Sequence, residues 1–283
     1  MAMFDFGDGL GPVAAHQHIN GGGWVADTAT VAATAFIDIN AVVFGTAQVL
    51  DTAKIYGNAK IYGSAQVVSS AQVYGSAEVF GAARIQDNAQ VYDNAQVFGN
   101  VLVNGSAQIF DYAVVQESAM ISGSAKVYGD ANVLGSAIVT ENTMVKGGTV
   151  QDNAQVLGSA TVQDAAVIAQ RAKVYGSAII GGSAYVSQGA KVYGDARVID
   201  NAVLNGDIQA YGSVTIRDNV KLYGSAQVCG TAVLSDNAQL LGKATVRDNA
   251  KVGGNVVLQG SAVVGGNREL TGSLIVEGST ILS

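Results

Sequence analysis

His16 and His18 are the only histidines in the chain, and both precede its first regular repeat. Acid–base chemistry near neutral pH uses histidine most often, so these two are the catalytic candidates if the chain is an enzyme. They stand two residues apart, and on an extended strand such residues share a face. With Asp5, Asp8 and Asn20 they form a candidate metal group, since imidazole and carboxylate are common ligands. The plainer reading of segment 1–24 is a cap or docking segment, with Phe4, Phe6 and Trp24 plugging the open apolar end of the repeat. A single cysteine, Cys229, cannot close an internal disulfide, which fits a reducing compartment.

The repeat itself has a period of six. From Val25 to Val145 a Val or Ile falls at every sixth residue, and four residues after each comes a small one, usually Ala. Between them stand turn formers such as Gly57-Asn58, Gly63-Ser64 and Asp93-Asn94. A six-residue period gives no helical stripe, and Gly with Asn in every unit would cost a helix repeatedly. Read as a strand, Ala, variable, aliphatic, variable alternates in and out, and the Gly-Ser or Asp-Asn pair turns the chain. Small residues belong inside the corners and branched ones at the middle of each flat side. After Val145 the next aliphatic is Val150, only five residues on; the phase then resumes through Val156 and Val162 to Leu282. The expected organisation is a segment 1–24, a first half 25–146, a register slip at 147–149 with a tightened turn, and a second half 150–283 ending in a capping or association region.

The units "VYGSAQ" and "VFGNVL" resemble the hexapeptide-repeat family. That resemblance implies an all-β, left-handed parallel β-helix, a triangular solenoid of about 15 coils of 18 residues. It also implies a homotrimer as the common state and, in many members, acyl transfer from coenzyme A or an acyl carrier protein. Those enzymes place a catalytic His on the helix or in a loop bulging from it, and the family's carbonic anhydrase branch needs three zinc-binding His. Here two histidines stand outside the repeat and no loop interrupts it. The fold carries over and the active site does not, so no cofactor is expected. The opening "NGGGWVADTATV" is similar to that of uncharacterised repeat proteins of phages, prophages and enterobacteria.

Sorting outward residues every 18 positions gives columns down the sides. One reads Phe44, Tyr62, Phe80, Phe98; another reads Tyr56, Tyr74, Tyr92, Phe110, Tyr128; a later one reads Tyr175, Tyr193, Tyr211. Contiguous aromatics are candidate contact surfaces, although ring ladders also stabilise stacked coils locally. Val257 with Ile275, and Val263 with Ile281, are candidate self-association residues. A net charge of −7 disfavours nucleic-acid and anionic-membrane partners, and no apolar run approaches a membrane span. No Sec-type signal is read in "MAMFDFGDGLGPV", so the expected location is cytoplasmic, or a virion if phage-encoded.

The leading expectation is a non-enzymatic, rod-like structural or partner-binding protein, a homo-oligomer with a possible protein partner, encoded by a phage or mobile element. One alternative is a divergent acyltransferase with His16 or His18 as base. Another is an inhibitor or ligand-sequestering protein of the anti-defence type.

Overall fold

The computed structural model describes residues 2–283. They form strands and turns only; no helix occurs among them. The architecture is a parallel β-solenoid in which equivalent residues recur about every 18 positions, roughly 14 turns in all. The chain divides into two compact units, residues 1–141 and 142–283. The division falls a few residues before the register slip, which lies inside the second unit.

In the first unit, strand β1 (Ala2–Phe4) pairs antiparallel with β2 (Val13–Gln17), and β2 pairs antiparallel with β3 (Trp24–Ala26). From β3 onward all pairing is parallel. Strands β3, β4 (Thr30–Val31) and β5 (Phe36–Ile37) begin three stacks, one per side of the coil, and β6 (Val42–Val43) is the next strand on β3. Along one stack Gln48, Gln66, Arg84, Leu102, Met120 and Ile138 stand one above the other. The ladder bonds repeat with the same offset, as in Gln66 N–H to Ala83 O at 2.8 Å and Val68 N–H to Ile85 O at 2.9 Å. The inward Ala and Val or Ile of each unit, such as Ala65 and Val67, have no solvent exposure. The core is thus a narrow column of small and branched side chains with no room for rings.

Nearly every corner contains one residue with positive φ. Most are Gly; the others, with φ of 57–65°, are mainly Asp. A left-handed conformation costs an L-residue about 1–2 kcal/mol. The acidic corners offset this cost, because the side chain accepts the otherwise unpaired corner N–H of the next coil. Asp51 accepts from Ser69 N–H at 2.9 Å, Asp87 from Gly105 at 2.9 Å, and Glu117 from Gly135 at 2.8 Å.

The second unit repeats the scheme. Its stacks run Thr161, Ile179, Arg197, Thr215, Val233, Lys251; Val167, Tyr185, Val203, Lys221, Gln239, Val257; and Gln155, Lys173, Lys191, Gln209. One corner column carries Asp200, Asp218 and Asp236, each capping the corner amide one coil further on at 2.7–3.1 Å. Beside it Asn201, Asn219, Asn237 and Asn255 form an amide ladder at 3.0–3.2 Å. Ile208, Val214 and Val220, which stand where Ala is usual, are fully buried beside the reduced Ala210.

The slip differs from a tightened turn. Met144–Val150 is one continuous strand against Thr161–Ile168, and the register shifts between Gly147 and Thr149 as a β-bulge. Gly147 and Gly148 both have positive φ, where an ordinary corner has one such residue. A Cβ at Gly148 would lie 2.6 Å from Ala166 O, so this glycine takes over the place of the missing inward small residue. Towards the end, Arg268 is exposed as the loss of Ala there suggests, and its Nε donates to Ser283 O at 3.2 Å. No helix among the described residues is long and apolar enough to cross a membrane.

Candidate functional site at the folded-back N-terminal segment

The segment before the repeat is built from residues that let the backbone reverse and approach closely. Asp5 and Asp8 each accept a backbone N–H two residues on, from Gly7 at 2.8 Å and Leu10 at 2.9 Å, which turns the chain between β1 and β2. A hairpin at 18–23 then leads into β3. Its Gly21 and Gly23 lie against β5: a Cβ at either would come within 2.1–2.4 Å of the carbonyl oxygen of Ile37 or Asp38. That contact satisfies the edge of β5, with Ile37 N–H donating to Asn20 O and Gly23 N–H to Ile37 O, both at 3.0 Å.

The aromatic residues do not plug the end of the core. Phe6 stacks on Phe44 at 5.0 Å, and Phe4 stacks on Trp24 at 4.5 Å and meets Phe6 edge-on at 4.9 Å. Ala15 and Ala26 complete the buried cluster. The inward column is too narrow for rings, whereas the outer wall offers the flat face of Phe44. Residue 26 would be the next rung of that ladder; it is Ala, and Phe6 fills the space.

The two histidines go separate ways. His16, exposed, donates through Nδ1 to Asp27 Oδ1 at 2.8 Å, and its Nε2 makes no hydrogen bond among the described residues. His18 is buried, and its Nε2 donates to Ala35 O at 3.1 Å beside Asn20 Nδ2 on the same oxygen at 2.9 Å. Asp5 and Asp8 serve their turns. No group of three or more metal-ligating side chains occurs among the described residues.

The fold-back leaves a cavity of about 410 Å³ between segment and wall. Phe6, Val13, Ala14, Ala26, Phe44 and Tyr62 give it mostly apolar sides, and Asp8 and Asp27 stand at its polar part. A smaller hollow that shares Phe6, Asp8, Phe44 and Tyr62 with this cavity is also lined by Lys60 and Glu78, which pair at 3.1 Å. Glu78 also accepts from Tyr62 OH at 3.2 Å. Burial, and then the neighbouring Glu78 carboxylate, push the Tyr62 phenol up to about 12. Phe6, Asp8, Phe44 and Tyr62 were each singled out in the sequence, but their convergence was not, because Phe6 and Asp8 lie outside the period that Phe44 and Tyr62 follow. The one signal was the Gly- and Asp-rich stretch "DFGDGLGP", a fold-back composition.

The aromatic columns are real stacks. Phe44, Tyr62, Phe80 and Phe98 lie 4.6–4.9 Å apart and within 8° of parallel. Tyr74, Tyr92, Phe110 and Tyr128 stack at 4.7–4.8 Å, while Tyr56 tilts against Phe36 at 5.1 Å instead of joining them. Tyr175, Tyr193 and Tyr211 stack in the second unit. Because each ring covers its neighbour's face, these columns are half-buried and present mainly edges. The most exposed ring is Tyr112, 65% exposed and outside the ladders. Val257 pairs with Ile275 and Val263 with Ile281; the two isoleucines are 62% and 65% exposed.

Compared with known proteins, residues 95–109 match a family model described as the YdcK Beta solenoid repeat. No curated protein matches the chain. The match and the structure together establish a repeat β-solenoid.

Proposed function

We propose that this chain is a non-enzymatic structural or partner-binding solenoid, phage- or mobile-element-encoded, which works through its outward ladders and by self-association as a homotrimer. The observation that carries this reading is the uninterrupted repeat. In both units each coil passes to the next without an inserted loop, so the flat sides of the repeat offer extended columns of side chains. Exposed Ile275 and Ile281 supply apolar surface for a second copy. Light scattering tests the assembly: the wild type is expected at trimer mass, and Ile275→Lys with Ile281→Lys at monomer mass. A monomeric wild type refutes the self-association. Acyl-coenzyme A turnover that disappears in His16→Ala refutes the non-enzymatic reading.

A second reading, a divergent acyltransferase, is favoured by one contact. Asp27 orients His16 through Nδ1 and leaves an exposed Nε2, the arrangement of a general base held by a carboxylate. His18 fits that role less well than His16, because its ring is buried against Ala35 O.

A further inference from the structure

We propose that the cavity beneath the N-terminal segment binds a free small molecule made of a compact apolar body and a protonated amine. Neither reading above is required for it. At about 410 Å³ the space suits a ligand of one ring and a short chain. Its sides are the rings of Phe6, Phe44 and Tyr62 and the small side chains of Ala14 and Ala26, which favour an apolar body and leave room for it. Its polar part is acidic. Asp27 uses Oδ1 for His16, and Asp8 uses Oδ1 for Leu10 N–H. The second oxygen of each accepts no hydrogen bond among the described residues. No Lys or Arg lines the cavity; the nearest hollow has Lys60, already held by Glu78.

Two carboxylates with spare acceptor sites are complementary to an ammonium group through charge-assisted hydrogen bonds, while the edges of the stacked rings and the alanines pack against the apolar body. They disfavour an anion of the same shape. The site is specific to this part of the chain. Along this column Phe44, Tyr62, Phe80 and Phe98 cover one another, whereas before Phe44 Ala26 stands in for a ring and the non-repeating segment folds over it.

The experiment is titration calorimetry on the full chain with three probes of matched shape: 2-phenylethylamine, 2-phenylethanol and 3-phenylpropionate. The amine is expected to bind at least about tenfold more tightly than the alcohol, with the carboxylate weakest. Asp27→Asn and Asp8→Asn should each remove most of that preference, Ala14→Phe should abolish binding by filling the space, and Asp152→Asn, outside the cavity, should change nothing. Amide NMR shifts in the wild type give a readout independent of any variant: those caused by the amine should concentrate at Ala14, Asp27, Thr28, Gly45 and Gly63. No binding at millimolar amine, equal binding of amine and alcohol, or shifts spread along the solenoid would overturn the proposal.

Discussion

Replacing Asp218 by Ala, Gly or Asn separates two contributions at a corner. Asp218 has φ of 60°, and its Oδ2 accepts Asp236 N–H at 3.0 Å. Losing a hydrogen bond to a charged acceptor at a partly exposed site costs about 1.5 kcal/mol. Ala also lacks the short polar side chain that lets Asp occupy the left-handed region more cheaply, a difference of about 1 kcal/mol, so Asp218→Ala is expected to cost about 2.5 kcal/mol. Gly loses the same bond and relieves the conformation, yet gives back roughly 0.5–1 kcal/mol through unfolded-state entropy, for a net of about 1 kcal/mol. Asn tolerates the conformation and still accepts weakly, so it costs less than ~1 kcal/mol. The neighbouring Arg217, 3.8 Å away and half exposed, adds little. Urea midpoints of the four proteins should fall in the order Asp, Asn, Gly, Ala. Amide exchange gives a local check. The Asp236 amide should exchange faster in the Ala and Gly variants, while Gly254 N–H, capped by Asp236 at 2.7 Å, keeps its protection. If Ala is no worse than Gly, or if both amides respond alike, the capping account fails.

The ladders and the core give further expectations. Phe80→Ala removes two stacked contacts, at 4.7 and 4.6 Å, and should cost about 1 kcal/mol more than Phe98→Ala, which removes one, as read from thermal midpoints. Ala107, fully buried, should accept Val with little loss, as Val101 and Val214 occupy equivalent places, whereas Ala107→Leu should overpack the corner and cost about 1–3 kcal/mol. Tyr62 and Tyr92 are both pushed up to about 12, chiefly by burial, then by Glu78 for Tyr62 and by Tyr74, Asp93 and Asp111 for Tyr92. The unfolded phenols deprotonate near 10 while the folded ones hold their protons, so this contribution is complete below 10 and is lost as pH rises through 12. Absorbance at alkaline pH should show a late-titrating fraction, and Tyr62→Phe should flatten the fall in stability over that range.

The coils were readable because period and side-chain size carry the same message: Ala65 can only be a corner and Val67 only a flat side once the next coil must stack upon them. The ring ladders were readable from the same arithmetic, apart from Tyr56, which turns toward Phe36, a diagonal neighbour on the adjacent coil that no 18-residue column reveals. Aspartate at the corners was legible as a residue that tolerates unusual backbone angles; its larger role, accepting an amide 18 residues onward, is a relation between coils. At the slip, the short spacing was visible, but the continuous strand and bulge were not, because one missing residue fits either geometry. The N-terminal segment was the least legible. It repeats nothing, and its two histidines looked paired by spacing, yet β2 ends at Gln17, so His16 and His18 meet different partners.

The acidic corners also impose a direction. Asp200 serves Asp218, which serves Asp236, which serves Gly254: the acceptor always precedes its donor along the chain. A partly formed stretch therefore presents a waiting carboxylate at its leading end and an unanswered amide at its trailing end. Synthesis delivers residues in the same order. The growing tip is thus the end prepared to receive the next turn, and winding can keep pace with translation without a return to earlier segments.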